Sequence, residues 1–292
     1  MKAYIFPGQG SQFRGMGKEL YKNKKAKSLF EEANSILGFN ISDIMFEGSE
    51  KDLTNTNVTQ PAIFIHSVII TKIMEESFKP NLVAGHSLGE FSALSAVEAF
   101  SFEEGLLMVS IRAKAMQKAC AKTDGTMAAI LGVSDQTIEN VCNNIDGIVV
   151  AANYNCPGQL VISGETTAIE KACRDLKEKG AKRAITLPVG GAFHSKLMDS
   201  AKEDLSKAIQ KTNFKEPKCA VYQNFTAAPS INPDIIKSNL VSQLTAPVKW
   251  TQTIKKMIED GAKSFIEVGP GNVLQNLNKK IDSSYETSSA SI

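Results

Sequence analysis

The sequence predicts a mixed α/β fold in which a large domain with a parallel sheet carries a small inserted domain. Two observations support this prediction. A short apolar segment, 82–84, runs into the pattern Gly-x-Ser-x-Gly at 85–89 and then into a segment of helical composition at 90–97. Farther along, strand and helix patterns follow one another in the order βαββαβ. The first pattern is typical of a unit of a parallel sheet, and the second is typical of a split-βαβ domain.

The composition is that of a globular protein that can bury a full core. The chain has 292 residues, 42% hydrophobic and 22% charged, with a formal net charge of +2. Basic and acidic residues are mixed along the chain, so neither nucleic acid nor an anionic membrane is the expected partner. The five cysteines form no C-x-x-C pair, which favours reduced thiols in a cytoplasmic protein over disulfides or a zinc site. We expect neither a membrane span nor a signal peptide.

The first strand-like segment, 3–6, runs into a glycine-containing turn at 7–12. This turn does not fit a nucleotide site. A dinucleotide fingerprint needs a third glycine near Phe13, and a Walker A loop needs Gly-Lys-Ser/Thr, whereas Gly17-Lys18 precedes Glu19. Two interpretations remain open: a plain tight turn, or a loop that supplies a backbone N–H to an oxyanion hole.

Ser87 is the candidate nucleophile. A strand that turns sharply into a helix presents the residue at the turn, and the flanking Gly85 and Gly89 allow the helix to approach closely. The N–H of Leu88 and the helix N-terminus could receive a developing negative charge. The alternative is an ordinary strand–helix turn without chemistry.

The middle of the chain reads as a separate unit. We predict six elements there in the order βαββαβ: a strand at 126–132, a helix at 135–145, strands at 148–152 and 159–163, a helix at 166–179 and a strand at 184–189. Residues 124–189 are therefore expected to form a ferredoxin-like domain inserted between 1–123 and 190–281 of the large domain. The polar, serine-rich tail 282–292 is expected to be disordered.

The chain has three histidines, of which His194 is the candidate base. It follows a glycine-opened loop after a strand and lies well downstream of Ser87, the order found in hydrolase-like folds. A serine hydroxyl needs such a base near neutral pH. His66 lies in an apolar segment and is expected to pack structurally, and the orientation of His86 is left open. No Asp or Glu is well placed to orient His194, which is evidence against an ordinary esterase.

Arg112 follows an apolar helical face and allows two interpretations. It is either a surface arginine whose stem covers apolar side chains, or a guanidinium that faces the cleft and binds a carboxylate through two hydrogen bonds.

These segments together resemble a known family. In chain order they are Phe6-Pro7-Gly8-Gln9-Gly10-Ser11-Gln12, Gly85-His86-Ser87-Leu88-Gly89-Glu90, Arg112 with Met116-Gln117, Asn155-Cys156-Pro157-Gly158-Gln159, Gly191-Ala192-Phe193-His194-Ser195, Gln243-Leu244-Thr245-Ala246-Pro247-Val248 before Trp250, and Glu267-Val268-Gly269-Pro270-Gly271. The set is similar to that of the malonyl-CoA:acyl carrier protein transacylases of bacterial type II fatty acid synthesis, from about Lys2 to Ile281. The resemblance implies a hydrolase-like large domain with a ferredoxin-like insertion.

The resemblance also implies roles for single residues. Ser87 would be the nucleophile and His194 the base. The N–H groups of Gln9 and Leu88 would form the oxyanion hole, and Arg112 would bind the malonyl carboxylate.

Four further residues receive roles from the same resemblance. The backbone carbonyl of Gln243 would orient His194 in place of an acid, and the ring of Phe193 would crowd the α-carbon of the acyl group. Lys182 and Arg183 would meet the phosphates of coenzyme A. The alternative for this last pair is two solvated charges.

The resemblance implies malonyl-CoA and acyl carrier protein as partners of a monomeric enzyme. Coenzyme A and phosphopantetheine would enter as carriers of the acyl group, with no cofactor and no metal. Two other functions stay open at this point: a serine thioesterase or esterase that releases the acid to water, and a docking module for carrier protein without catalysis. The sequence does not separate fatty acid synthesis from a polyketide or specialised lipid pathway.

Overall fold

The computed structural model describes residues 1–291, which form two β-sheets with helices around them. In chain order the elements are β1 (Lys2–Phe6), α1 (Lys24–Leu37), α2 (Ile41–Glu47), α3 (Glu50–Thr54), α4 (Thr56–Met74), β2 (Leu82–Gly85), α5 (Gly89–Ala96), α6 (Phe102–Cys120), β3 (Gly125–Leu131), α7 (Asp135–Asn143), β4 (Val149–Cys156), β5 (Gln159–Glu165), α8 (Thr166–Glu178), β6 (Arg183–Thr186), α9 (Asp199–Lys211), β7 (Ala220–Gln223), β8 (Ala228–Ser230), α10 (Pro233–Gln243), α11 (Trp250–Glu259), β9 (Ser264–Glu267), α12 (Val273–Ile281) and β10 (Glu286–Ser289).

The larger sheet has the strand order β10-β9-β1-β2-β7-β8. Its strands pair in parallel, except that β8 runs antiparallel to β7 at one edge. Side chains of β1 alternate between the two faces of the sheet, so Tyr4 and Phe6 join one buried cluster while Ala3 and Ile5 join another. Both faces are covered, as a parallel sheet requires. The predicted α/β class with a parallel sheet is confirmed.

The smaller sheet is antiparallel, with the order β4-β5-β3-β6. The helices α7 and α8 pack on it, and side chains such as Ile138 and Leu176 fill the layer between them and the strands. The element order βαββαβ is the predicted one. The exact division of the chain at 124 and 189 stays a prediction.

A hydrogen-bonded contact ties the two sheets together. Val248, which precedes α11, donates its N–H to Ala152 O (2.8 Å) and accepts from Tyr154 N–H (2.9 Å). The edge strand β4 is thereby joined to the chain next to Trp250, which is fully buried beneath the larger sheet. The smaller sheet therefore has a fixed position beside the carboxyl ends of β1 and β2.

Two expectations about local structure were wrong. The sequence predicts a turn across 153–158, but β4 continues to Cys156 because its last residues pair with β5 through irregular register, leaving Pro157-Gly158 as the turn. The tail was expected to be disordered, yet residues 286–289 form β10 in parallel with β9, and Ala290 N–H donates to Glu267 O. Backbone hydrogen bonds, which composition does not reveal, hold this polar segment.

Two helices that meet behind the sheet begin at well-formed caps. The Asn55 side chain accepts a hydrogen bond at the start of α4, and Ser101 and Glu104 form a capping box at the start of α6. The two helices pack against each other and bring Gln60 of α4 beside Arg112 of α6. Within residues 1–291, no helix is both long enough and apolar enough to cross a bilayer.

Candidate active site

Ser87 occupies a strained turn between β2 and α5. Its φ is +53°, in the left-handed region, which costs a non-glycine residue about 1–3 kcal/mol. A Cβ at Gly85 would lie 1.9 Å from the carbonyl carbon of Gly89, and a Cβ at Gly89 would lie 2.0 Å from Phe6 O. Only glycine fits at these two positions, so the strand, the turn and the helix can pack closely enough to present the serine.

Asn224, which directly follows β7, holds this turn on both sides. Its Oδ1 accepts from Ser87 N–H (2.6 Å), and its Nδ2 donates to Gly85 O (2.6 Å). Asn224 lies 137 positions after Ser87 in the chain, and no pattern in the sequence indicated that it contacts the serine turn. The carboxyl edge of the neighbouring strand β7 thus fixes the serine backbone.

The Ser87 hydroxyl lies 2.8 Å from Nε2 of His194. The other ring nitrogen, Nδ1, donates to the backbone carbonyl of Gln243 at 2.9 Å. A carbonyl can only accept, so the proton is on Nδ1 and Nε2 is free to take the serine proton. No carboxylate contacts this histidine within residues 1–291, in agreement with the missing acid noted in the sequence.

His194 is buried, and burial together with the nearby Arg112 charge lowers its pKa to about 3. The imidazole is therefore neutral at physiological pH, which is the form that accepts a proton. Its backbone also has a positive φ of 59°. Ser87 and His194 are thus both presented from left-handed turns.

Arg112 is buried in the site and is not a surface arginine. Its Nη1 donates to Gln60 Oε1 (2.7 Å), and its Nη2 donates to Ser87 Oγ (3.0 Å) and to Gln243 Oε1 (3.3 Å). Burial lowers its pKa to about 10, so it stays cationic. Among the described residues no carboxylate forms an ion pair with it, and its Nε has no hydrogen-bond partner.

The turn at 7–12 packs directly on the serine turn. A Cβ at Gly8 would lie 2.4 Å from His86 O, so the glycine is needed for this approach. Gln9 and Leu88 line the same cavity as Ser87. Neither of their backbone N–H groups donates to an acceptor within residues 1–291. The arrangement favours the oxyanion-loop interpretation over a plain tight turn.

The cavity in front of Ser87 has an empty volume of about 530 Å³, part of it open to solvent. Its walls come from both sheets, with Met127, Asn153 and Leu187 from the smaller unit and Phe193 from the loop before His194. A second recess continues from it and shares Gln9, His86, Asn153 and Leu187. The site is therefore an elongated cleft between the two sheets.

Lys182 and Arg183 do not line this cleft. Both are exposed at the start of β6, whereas Leu187, past the other end of β6, lines the cavity. At about 3.3 Å per residue along a strand, roughly 15 Å separates the pair from the cavity. The structure leaves them at a distance that only an extended ligand could bridge.

The other two histidines take no part in the contacts of Ser87. His86 Nε2 lies 2.9 Å from Asn155 Oδ1, and the ring packs near Trp250. His66 is buried in α4, as expected, and burial lowers its pKa to about 4. Within the described part of the chain, no group of three or more His, Cys, Asp or Glu side chains could hold a metal ion.

Sequence reasoning missed three residues that hold Ser87, Arg112 or Gln243 in place. Gln60 and Asn224 gave no signal, because each is one amide among many. Glu90 did give one: it is the one charged residue of the helix that follows Ser87, three positions after the serine. The structure buries it completely and joins it to Gln243 and Asn224.

Comparison with known proteins identifies similar chains. Residues 3–292 match the family described as "Acyl transferase domain". The malonyl CoA-acyl carrier protein transacylase of Bacillus subtilis is 42% identical over 290 residues, covering 98% of this chain and 92% of the relative. That of Staphylococcus aureus strain MRSA252 is 39% identical over 284 residues, covering 96% of this chain and 92% of the relative.

Solved structures agree over almost the whole chain. The acyl-carrier-protein-S-malonyltransferase of Bartonella henselae superposes with a TM-score of 0.96 at 39% identity, covering 99% of this chain and 94% of that one. A malonyl-transacylase solved in complex with a type II PKS acyl-carrier protein superposes with a TM-score of 0.95 at 36% identity, covering 100% of this chain and 95% of that one.

A fluorophosphonate reagent should label this protein at Ser87, because the turn exposes an oxygen with a base beside it. His194→Ala should slow the labelling by about 10²–10⁴-fold, the usual contribution of a general base. Intact mass and peptide mapping measure both. Ser92→Ala is the matched control, since Ser92 lies buried on α5, the helix that follows Ser87, and it should label at the wild-type rate. Undiminished labelling of Ser87→Ala would contradict the assignment.

Proposed function

The chain belongs to the acyl transferase domain family, and on this premise we propose that it transfers malonyl from coenzyme A to the phosphopantetheine thiol of an acyl carrier protein, for fatty acid biosynthesis. The observation that carries the proposal is the Arg112 guanidinium, buried and without an ion pair among the described residues, 3.0 Å from Ser87 Oγ. A buried cation at that distance suits an acyl group that ends in a carboxylate. The names of the full-length relatives support the same substrate and acceptor.

The first half of the reaction acylates the enzyme. Ser87 Oγ attacks the thioester carbon while its proton passes to His194 Nε2. The carbonyl oxygen becomes an oxyanion, which the N–H groups of Gln9 and Leu88 bind. Each such donor typically lowers the barrier by about 2.7–4 kcal/mol. The C–S bond then breaks, and the coenzyme A thiolate leaves with the proton that His194 returns, which yields malonyl-Ser87.

The second half regenerates Ser87. The phosphopantetheine thiol of the carrier protein gives its proton to His194 and attacks the ester carbon of malonyl-Ser87. The same two N–H groups bind the second oxyanion. The C–O bond breaks, and Ser87 Oγ recovers the proton from His194. The cycle is double displacement through a covalent intermediate. Coenzyme A and phosphopantetheine act only as carriers of the acyl group, and these steps use no other cofactor.

Arg112 has two tasks in this proposal. Its planar fork binds the malonyl carboxylate through two hydrogen bonds. The same group donates to Ser87 Oγ, so a carboxylate that draws the guanidinium away leaves the oxygen lone pair free to attack. The ring of Phe193, which lines the cavity, would crowd the α-carbon and disfavour bulkier acyl groups.

The wider organisation follows from the same reasoning. We infer a monomer, because one chain supplies every residue of the proposed site. A cytoplasmic enzyme is consistent with the five free cysteines. The division into a large domain, 1–123 and 190–281, and an inserted domain, 124–189, would place the cleft between two separately packed units.

Malonyl-CoA alone should add one malonyl group to the protein, because the first half-reaction needs no carrier protein. Ser87→Ala should abolish the adduct. Intact mass spectrometry measures it, and later addition of a carrier protein with its thiol arm should remove it and yield malonyl-carrier protein. Ser92→Ala is again the matched control. Release of free malonate at the rate of transfer would indicate a thioesterase, and no adduct would contradict the proposed function.

Arg112→Ala should lower malonyl transfer far more than acetyl transfer, because the two acyl groups differ by one carboxylate. A hydrogen-bonded charged pair contributes about 1.5–3 kcal/mol, or roughly 10- to 150-fold in selectivity. The measurement is the ratio of kcat/KM for malonyl-CoA and acetyl-CoA. Lys114→Ala, an exposed cation on the same helix, should leave the ratio unchanged. Arg112→Lys should recover it only partly, since a point charge lacks the planar fork. An unchanged ratio in Arg112→Ala would contradict the assigned role.

Replacement of both Lys182 and Arg183 by Ala should raise KM for malonyl-CoA, because two cations at the end of β6 would attract the phosphates of coenzyme A. The increase should shrink at high salt, which screens exposed charges. The matched control replaces Lys171 and Arg174, an exposed Lys and Arg on α8 of the same unit. If the two double variants had equal KM values at low salt, Lys182 and Arg183 would be solvated charges with no part in binding malonyl-CoA.

A further inference from the structure

Glu90 is a buried carboxylate that the steps above do not use. It lies in the first turn of α5 and is fully buried. Its Oε1 accepts from Gln223 Nε2 (3.2 Å), and its Oε2 accepts from Asn224 N–H (3.1 Å) and from Gln243 Nε2. Every partner is an N–H donor, so the contacts suit an ionised carboxylate.

Two of these partners also hold the reacting groups. Asn224 binds the backbone of Ser87 on both sides of the turn. Gln243 donates from Nε2 to Ser87 O (3.0 Å), and its backbone carbonyl accepts from His194 Nδ1. A single carboxylate is therefore connected to the nucleophile and to the base through one intervening residue each.

The partners cannot rearrange to accept a proton from Glu90. The amide of Gln223 is fixed, because its Oε1 accepts from Asn239 Nδ2 (2.8 Å) and its Nε2 also donates to Ile236 O (3.2 Å). The Asn224 contact comes from a backbone N–H, which has no acceptor. A protonated Glu90 would donate a hydrogen bond and therefore needs an acceptor. Of its three partners, only the side-chain amide of Gln243 could turn to offer one.

Rotation of the Gln243 amide would lose its other contacts. Its Oε1 now accepts from Arg112 Nη2 and its Nε2 donates to Ser87 O. After a flip, an NH₂ would face the guanidinium and an oxygen would face the carbonyl. Both pairs repel, so Gln243 must move away, and the carbonyl that orients His194 moves with it.

We propose that Glu90 is a positioning residue for the acyl transfer, whose ionised carboxylate holds Gln243 and Asn224 against Ser87, and that protonation of Glu90 rather than of His194 causes the loss of activity in acid. This inference rests on the proposed function. Activity then requires the ionised form, so it is present above the pKa of Glu90 and falls as the pH drops through it.

The charges around Glu90 agree with this assignment. Burial raises its pKa to about 7, and its hydrogen bonds and the Arg112 charge oppose that rise. Of the buried titratable groups on the elements packed against α5, only Arg112 acts on Glu90 through its charge; the others are His66 on α4, Tyr4 on β1, Cys120 on α6 and Tyr222 on β7. The pKa of His194 lies well below that of Glu90, so the carboxylate protonates first.

The test compares wild type with Glu90→Gln, which has the shape of the protonated form at every pH. The rate of malonyl-Ser87 formation is measured at saturating malonyl-CoA from about pH 8.5 to about pH 5.5, so that titration of substrate binding does not contribute. Wild type should lose activity as the pH falls through about 7. Glu90→Gln should be about 10- to 100-fold slower at high pH, the loss expected when a hydrogen bond to a charged group is removed, and nearly independent of pH.

Glu267→Gln is the matched control. Glu267 is also a buried carboxylate, and it accepts two backbone N–H groups at the start of α12, but among the described residues it has no hydrogen bond with Gln243 or Asn224. This variant should keep the wild-type fall in acid even if its stability is lower. If the rate of Glu90→Gln fell in acid as the wild-type rate does, the proposal would be overturned, because protonation of another group would then cause the loss of activity.

A second measurement needs no variant. The chain has three histidines, so ring nitrogen NMR can follow each imidazole in the wild-type protein. None should become protonated across the loss of activity, and a His194 protonation with the same midpoint would overturn the proposal. If wild type formed no malonyl adduct at any pH, the proposed function would fail instead, and the same pH comparison would be made on fluorophosphonate labelling of Ser87.

Discussion

The left-handed backbone of Ser87 is the constraint on which the rest of the site depends. A side chain at that φ is strained by about 1–3 kcal/mol, and the conformation persists only because its surroundings hold it. Gly85 and Gly89 allow the strand and the helix to approach each other, and Asn224 bonds the turn from the next strand. The position of Ser87 is therefore a property of three neighbouring strands and not of the turn alone.

The buried charges next to this turn are arranged without a direct ion pair. Arg112 and Glu90 are both removed from water, and the side chain of Gln243 lies between them, accepting from one and donating to the other. A buried charge without a partner is costly, and hydrogen bonds from oriented amides offset part of that cost. A direct pair would satisfy both charges but would also occupy the guanidinium. The inserted amide keeps Arg112 available for a carboxylate of a substrate.

The smaller sheet closes the site. The larger sheet presents Ser87 at an edge that would otherwise be open, and the contact between β4 and Val248 fixes the second sheet over it. Side chains from β3, β4 and the segment after β6 then form one wall of the cavity. A transferase requires limited access of water to an acyl-serine if a thiol is to accept the acyl group instead, and this wall covers one side of Ser87.

The sequence by itself determined the parallel α/β class, the βαββαβ order of the middle segment and the candidates Ser87 and His194. These features depend on local patterns: a period of apolar side chains, a glycine pair around a serine, and a histidine after glycines. It could not decide whether Arg112 was exposed or buried, because one helix face gives the same pattern in either case. It did not locate Gln60, Asn224 or the role of Glu90, and it expected a disordered tail where β10 pairs with β9. Those outcomes depend on hydrogen bonds between residues far apart in the chain, and only the tertiary structure brings such donors and acceptors within reach of each other.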